Sequence, residues 1–487
     1  MPTKQPLELV GGSYQSVSRP ISCQRTVNWI PRFSEQPSLS DSYLDDPSGL
    51  VTHGQCGTRP NRGATVMGST AYFVNGNKLY SVSSGGSSIE LGTVAGTKPV
   101  SFANNGTKLV ICVPGAQSYV YDTALGTVVE ITDPEFIVAS SVVFIDGYFI
   151  FSAANGTLVF NSALNDPLSY DGLDVGTAEI NPDPIVAVHV SHNELHILGT
   201  ETIEIFQDVA APVGFPFQRI PGASIQKGCY APLSIVDFDN TYLFIGGGVN
   251  ERVAIWKVTG SNSVEKISTD GIDLEIQKFT TGEIQQAYAY TWSEGGEFFA
   301  AFTINSSNIA SRTFVYSAIA SAYSKSQIWH ERQTGVTDNS WRVRSIVNAY
   351  GKLLCGDTVD GRIGYLDPNT FQDYDAVRYR MRVCRPLFSS EIPLCTGQME
   401  LTMESGVGAT SGQGSDPQMR MSYSDDGGRT WSSETARSYG EIGLYGNLSI
   451  WRRCGQIPRH RIYRFISTEP VKTVMIKLTS YIAIGSQ

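Results

Sequence analysis

Short apolar runs broken by tight turns recur along most of this chain. The clearest is Thr70-Ala-Tyr-Phe-Val-Asn-Gly-Asn-Lys-Leu-Tyr-Ser-Val-Ser83, where apolar runs at 71–74 and 79–82 flank Asn75-Gly76. Asn-Gly accepts positive φ at low steric cost, and the turn it makes matches the twist of a right-handed hairpin. A second turn signal, Gly85-Gly86, leads into Ile89-Glu-Leu91. The stretch therefore predicts three or four short antiparallel strands. One such sheet cannot cover its own faces and needs neighbours of the same kind.

Between 51 and 374 the theme repeats. Turn centres fall near Gly76, Gly106, Gly147, Asn193, Asn240, Gly295 and Gly351. Each is flanked by apolar runs, such as 142–145 with 148–151, or 287–292 with 298–302, and a third run usually follows. Radial repetition of three- to four-stranded sheets is the pattern of a β-propeller, in which each blade packs on the next and the ring protects its edges. Seven units predict seven blades, or six if one unit is an accessory hairpin. A pair of β-sandwiches is the competing arrangement. The run 50–53 is placed to close the ring against the last blade.

The two ends read differently. Residues 1–50 are irregular and broken by Gly11-Gly12, Arg19-Pro20, Ile30-Pro31 and Asp46-Pro47. An arm with so little core of its own is expected to lie across its own body or a neighbour. Residues 375–487 hold longer alternating runs near 377–383, 398–403, 419–423, 448–452, 463–467 and 474–478. They predict a β-sandwich with a small-residue loop at 406–416, marked by Gly406, Gly412, Gly414 and Asp416. The fold class is thus all-β, with an arm at 1–50, a propeller at 51–374 and a sandwich at 375–487.

Composition supports this. The chain has 487 residues, too many for one ordinary core, with 48 Gly, 23 Pro, 23 Tyr and 21 Phe. I-, V- and aromatic-rich runs bounded by Gly favour strands. The net charge of −10 is uneven: residues 375–487 carry 14 basic and 10 acidic side chains, and the rest of the chain is strongly acidic. A general DNA-coating protein would instead be basic along a whole face. The eight cysteines form neither C-x-x-C nor a zinc spacing, so reduced thiols and folding in a cytosol are expected. No apolar run suits a signal peptide or a membrane span, so no membrane insertion is expected.

Candidate chemistry is sparse. Ser424-Asp-Asp-Gly-Gly-Arg-Thr-Trp431 matches the Asp-box hairpin S-x-D-x-G-x-T-W, with Ser424, Asp426, Gly428, Thr430 and Trp431 as its signature. Asp426 can accept N–H groups within the turn. The motif staples a turn and also occurs in sialidase-like proteins, but there it would repeat in several blades, and here it stands once. His189, His192 and His196 read as ordinary strand and turn residues, with His189 on the face opposite the other two. Nucleophile-elbow, phosphate-loop and zinc-protease motifs are missing, so no catalytic, cofactor or metal residue is expected. Arg378, Arg380 and Arg382 alternate on one strand and share a side. With Arg452 and Arg453 they are candidate assembly contacts, weighed against a solvated face paired with acids.

Two stretches together resemble a known family. They are Leu9-Val-Gly-Gly-Ser-Tyr-Gln-Ser-Val-Ser-Arg-Pro-Ile-Ser-Cys-Gln-Arg-Thr-Val-Asn-Trp-Ile-Pro31 and Met421-Ser-Tyr-Ser-Asp-Asp-Gly-Gly-Arg-Thr-Trp431 with Gly443-Leu-Tyr-Gly446, Ile450-Trp-Arg-Arg453 and Pro470-Val471. They resemble the packaged-DNA stabilisation, or tail nozzle, proteins of short-tailed bacteriophages, departing from that pattern at Trp29-Ile30. The resemblance implies a virion tail protein without an active site or cofactor. It implies a homohexameric ring below portal and adaptor that holds packaged double-stranded DNA and opens for ejection. Implied partners are the adaptor, tail fibre or tailspike, a tail plug or needle, and the DNA itself. The 406–416 loop is the candidate gate. A carbohydrate-active or glycan-binding propeller remains the alternative, and would place Arg and carboxylate groups together on the propeller axis.

Overall fold

The computed structural model describes residues 3–484 apart from Pro37, 179–180, Pro182, Pro212, 261–262 and 389–393. Among the described residues, seven antiparallel sheets follow one another as blades. The first four are regular four-stranded sheets that begin, at their inner strands, with Asn61–Met67, Ser101–Asn104, Ala139–Ile145 and Ile185–Ser191. The inner strands of the fifth, sixth and seventh are Val236–Phe238, Tyr288–Glu294 and Val343–Ala349. Positive-φ residues sit at the inner hairpin turns, including Gly106, Gly147, Asn193, Asn240 and Gly295. Blade 1 differs from the pattern read in sequence. Gly76 joins its second and third strands, and Gly68 joins its first two.

Each blade buries one face against the next, which gives a separate apolar core at every junction. Val110 and Phe151 meet between blades 2 and 3, and Ile150 and Ile197 between blades 3 and 4. The ring is complete because Phe73 and Val82 of blade 1 pack on Leu354 and Ile363 of blade 7. Blade 7 takes its outer strand from far upstream: Gly49–Gln55 pairs antiparallel with Arg362–Asp367. This joins chain positions more than three hundred residues apart and removes two sheet edges at once.

The sandwich packs two sheets around Trp29, Met399, Leu401, Met419, Trp451, Phe465 and Leu478. One sheet runs Ile30–Phe33, Ser42–Asp45, Met475–Ile484, Leu394–Met403, Ser449–Ile457, with Thr3–Leu7 also on Met475–Ile484. The other contains Arg380–Val383, His460–Ser467, Gln418–Ser424 and Thr435–Ser438. Five strands among the described residues of the N-terminal fifty thus lie across the chain's own body. Cys23–Val27 has a decisive position. It pairs antiparallel with Arg380–Val383 and parallel with Trp329–Arg332, the outer strand of blade 6. Blade 6 and the second sandwich sheet therefore form one continuous eleven-stranded sheet.

Candidate functional site

The seam between propeller and sandwich is ionic. Strand alternation does put Arg378, Arg380 and Arg382 on one side, and that side faces the seam. All three are fully buried. Arg378 donates to the Pro47 and Ser48 carbonyls, at 2.5 and 2.9 Å, and to the Asp373 carboxylate at 2.7 Å. Arg380 grips the two oxygens of Asp46 at 2.8 and 2.9 Å and donates to the carbonyls of Phe371 and Glu469. Arg382 reaches Gln24 Oε1 at 2.7 Å and Thr26 Oγ1 at 2.8 Å. Their expected role as subunit contacts is corrected. A guanidinium enters a core only when its donors find acceptors there, and within the chain Asp373 and Asp46 meet Arg378 and Arg380 while neutral oxygens of Gln24 and Thr26 receive Arg382. Burial would raise the Asp373 carboxyl, but Arg378 and Arg332 outweigh it and hold the group below its ordinary value. Arg332, stacked 4.1 Å from the Trp341 ring, is lowered to about 10 by burial and by Arg378.

Residues that sequence reasoning passed over complete this seam. Asn28 is buried with φ 52°, a left-handed conformation that asparagine tolerates. Its amide donates to the carbonyls of Gln333 and Tyr379 and accepts from the Gln333 N–H, so one side chain ties blade 6 to the sandwich. Arg25 and Arg312 share Glu331 and Asp338 at the same edge. The polar run Cys23-Gln-Arg-Thr-Val27 before Asn28 carries no turn signal in sequence.

The Asp-box folds as its motif demands. Asp426 accepts from the Arg429 and Thr430 N–H groups at 2.9 Å and from the Thr430 and Ser424 hydroxyls at 2.6 and 2.7 Å. These bonds, the Thr430 hydroxyl first, pull its carboxyl below the usual range. Gly428 donates to Ser424 Oγ, with φ 81° and no room for a Cβ beside Cys23. Trp431 packs on Val27, Met381 and Ile462, under the Arg464 guanidinium. Asp426 thus serves the turn itself, while the neighbouring Asp425 holds the Arg461 guanidinium at 2.7 Å.

The 406–416 loop is braced. Gly406 accepts from Gly443 N–H, Ala409 N–H donates to Gly414, and Gln413 donates to Thr468. Gly406, Gly412 and Gly414 all have positive φ, and Asp416 accepts from Gln418 outside the turn. The tip, 410–413, and Asp416 are exposed. Arg452 and Arg453 are exposed on Ser449–Ile457, the last strand of the first sandwich sheet.

The inner strands of all seven blades line an axial cleft of about 620 Å³. Its wall is made of groups such as Thr65, Phe102, Val142, Val190, Tyr290 and Ile346, with Asp237 as its one acid and His189 as its one histidine. These two lie 3.3 Å apart. The histidines occupy a hairpin rather than one strand, which reverses the face assigned from sequence. His189 and His196 are cross-strand partners, and both rings pack on Tyr242.

This architecture can be set beside known proteins. Residues 5–371 match a family model described as bacteriophage P22 Gp10, beta-propeller, and residues 380–481 match bacteriophage P22 Gp10, beta-sandwich. The chain belongs to the bacteriophage P22 Gp10 family. It is accordingly a packaged-DNA stabilisation protein by family, a structural protein of the virion. No curated protein matches it significantly. Similar solved structures include the computationally designed Ika8 protein, at 12% identity over 70% of this chain and 99% of that one, with a TM-score of 0.37. The N-terminal domain of Nup159 is similar at 12% identity over 71% of this chain and 99% of its own, with a TM-score of 0.38. Among the described residues no helix is long and apolar enough to cross a membrane.

Proposed function

We propose that six copies of this chain form a ring that continues the DNA channel of a short phage tail below portal and adaptor. The ring retains packaged double-stranded DNA and conducts it during ejection. The observation that carries this reading is the family match over both propeller and sandwich. The continuous sheet across the seam suits it, because a channel segment under internal pressure needs a stiff subunit. In this reading the arm at 1–50, the propeller at 51–374 and the sandwich at 375–487 act as one body. The exposed tip of the 406–416 loop supplies the constriction, and Arg452 and Arg453 face other proteins. The adaptor, a fibre or tailspike, and a plug or needle are the partners above, beside and below the ring.

The chain acts without catalysis in this proposal. Glycan hydrolysis asks for paired carboxyl groups roughly 5–10 Å apart beside the substrate. The axial cleft offers Asp237 beside a histidine instead. The test is imaging of intact particles, together with particles made without this chain. Sixfold density for propeller and sandwich below the adaptor, and DNA that is packaged but then lost without the chain, are expected. Absence of the chain from the tail, or normal DNA retention without it, would end the reading.

A further inference from the structure

Between Lys108 and Arg219 the sequence contains no lysine or arginine, while fourteen Asp and Glu fall in the same stretch. This stretch builds most of blade 2 and all of the regular strands of blade 3, and reaches into the outer strand of blade 4. Three of these acids stand exposed on the outer flank. Glu130 and Glu135 are exposed, and the Glu135 carboxylate lies against Gly172, beside exposed Asp171. Aliphatic side chains stand out among them. Leu125, Leu164, Leu173 and Val213 are 72, 59, 73 and 79% exposed. Large aliphatic groups in water, rimmed by charge, are the mark of a protein contact rather than of a wall for nucleic acid.

The opposite end of the molecule carries the opposite charge. In a ring of seven blades, blade 6 lies across from blades 2 and 3, and the sandwich extends from blade 6. The outermost strand there is Ser449–Ile457, which among the described residues pairs only with Leu394–Met403. Arg452 and Arg453 on it are exposed, as are Arg459 just beyond and Arg437 beside it, whose Nε bonds the Ile450 carbonyl. Like charges repel and unlike surfaces steer together, so a basic edge on one copy is complementary to an acidic flank on another.

We propose that the basic edge around Arg452 and Arg453 docks on the acidic, aliphatic flank of blades 2 to 4 of a second copy of this chain. The contact is head-to-tail, so a docked pair keeps one free surface of each kind and the chain of contacts can continue or close. This deepens the ring reading by naming the surfaces that would build it.

The test uses two variants of the full chain. One carries Arg452→Glu and Arg453→Glu, and the other carries Glu130→Lys, Glu135→Lys and Asp171→Lys. All five positions are exposed, and retained circular dichroism and melting temperature would show intact folds. The assembly state is read by sedimentation velocity. Wild-type chain is expected to form higher oligomers near 0.1 M salt and to lose them near 1 M, as the screening length falls from about 10 to about 3 Å. Each variant alone is expected to stay monomeric. Mixed together, they again offer opposite charge at both contacts, the native basic edge of one on the native acidic flank of the other and the reversed edge on the reversed flank, so higher oligomers should return, which only a contact between these two surfaces allows. If wild type and both variants assemble alike, these surfaces are wrong while the ring stands. Wild type that is monomeric at every salt overturns this contact, and particle imaging still judges the ring. If Arg452→Glu/Arg453→Glu assembles normally but loses retardation by double-stranded DNA, the edge binds nucleic acid and the proposal fails.

Discussion

A buried ionisable side chain reports its surroundings through its proton. His196 is pushed down to about 3, by burial first and then by His189 and His192, and its Nδ1 shares a hydrogen bond with the Tyr242 hydroxyl at 2.9 Å. His330 is lowered too, by burial and by Arg332 and Arg32. The unfolded chain takes up these protons near the ordinary histidine value of about 6.5, while the folded chain refuses them. A folded state that binds fewer protons loses stability as pH falls. Stability should therefore hold above pH 7 and fall below about 6.5, each such histidine contributing up to about 1.4 kcal/mol per pH unit. His196→Gln should remove one share of that slope. Denaturant melts between pH 7.5 and 5.5 check this, and identical slopes for the two chains would refute it. The comparison between the two chains isolates the histidine, since their carboxylates are the same and cancel.

At the scale of elements, closure of the ring is the step most exposed to a single change. Gly54 on the closing strand Gly49–Gln55 passes so close to Gly86 that a Cβ there would collide with the Gly86 carbonyl. The neighbouring side of the contact is equally tight, since Gly86 has φ 89° and faces the His53 carbonyl. Gly54→Val should push the closing strand off blade 1 and cost roughly 1–3 kcal/mol or more, as overpacking does. Limited proteolysis should then cut first near 45–60. A variant as resistant as wild type would show that the strand tolerates the side chain. The hairpins themselves were legible in sequence, because Asn-Gly, Asp-Gly and Gly-Gly mark tight turns whatever surrounds them. Blade 1 was phased wrongly because Gly68, followed by Ser69, is a weaker local signal than Asn75-Gly76.

At the scale of the whole molecule, two domains share one sheet. The seam is held by Asp46, whose carboxylate takes both Arg380 donors and the Thr473 N–H at 3.0 Å with its side chain fully buried. Propeller and sandwich should therefore unfold in one transition. Asp46→Asn removes the charge that compensates Arg380, and breaking a buried pair from one side costs about 3–5 kcal/mol. Calorimetry of this variant should show two transitions, the sandwich melting first. A single, unshifted transition would mean that the backbone pairing of Cys23–Val27 suffices.

Turn chemistry, alternation and charge imbalance are properties of short stretches, so the sequence by itself determined the all-β class, the repeating hairpins and the Asp-box turn. It also placed the closing run at 50–53, since a strand with no local partner must find a distant one. What it left open depends on which distant surfaces meet. Alternation said that Arg378, Arg380 and Arg382 share a side, but only the tertiary structure decided that this side is a dry seam where Asp373 and Asp46 neutralise Arg378 and Arg380 while Gln24 and Thr26 receive Arg382. Asn28 looks like any turn residue until Gln333 and Tyr379 are brought beside it. Pairings across hundreds of residues carry no local signature, because their free energy comes from burial and charge compensation that exist only once the chain has folded.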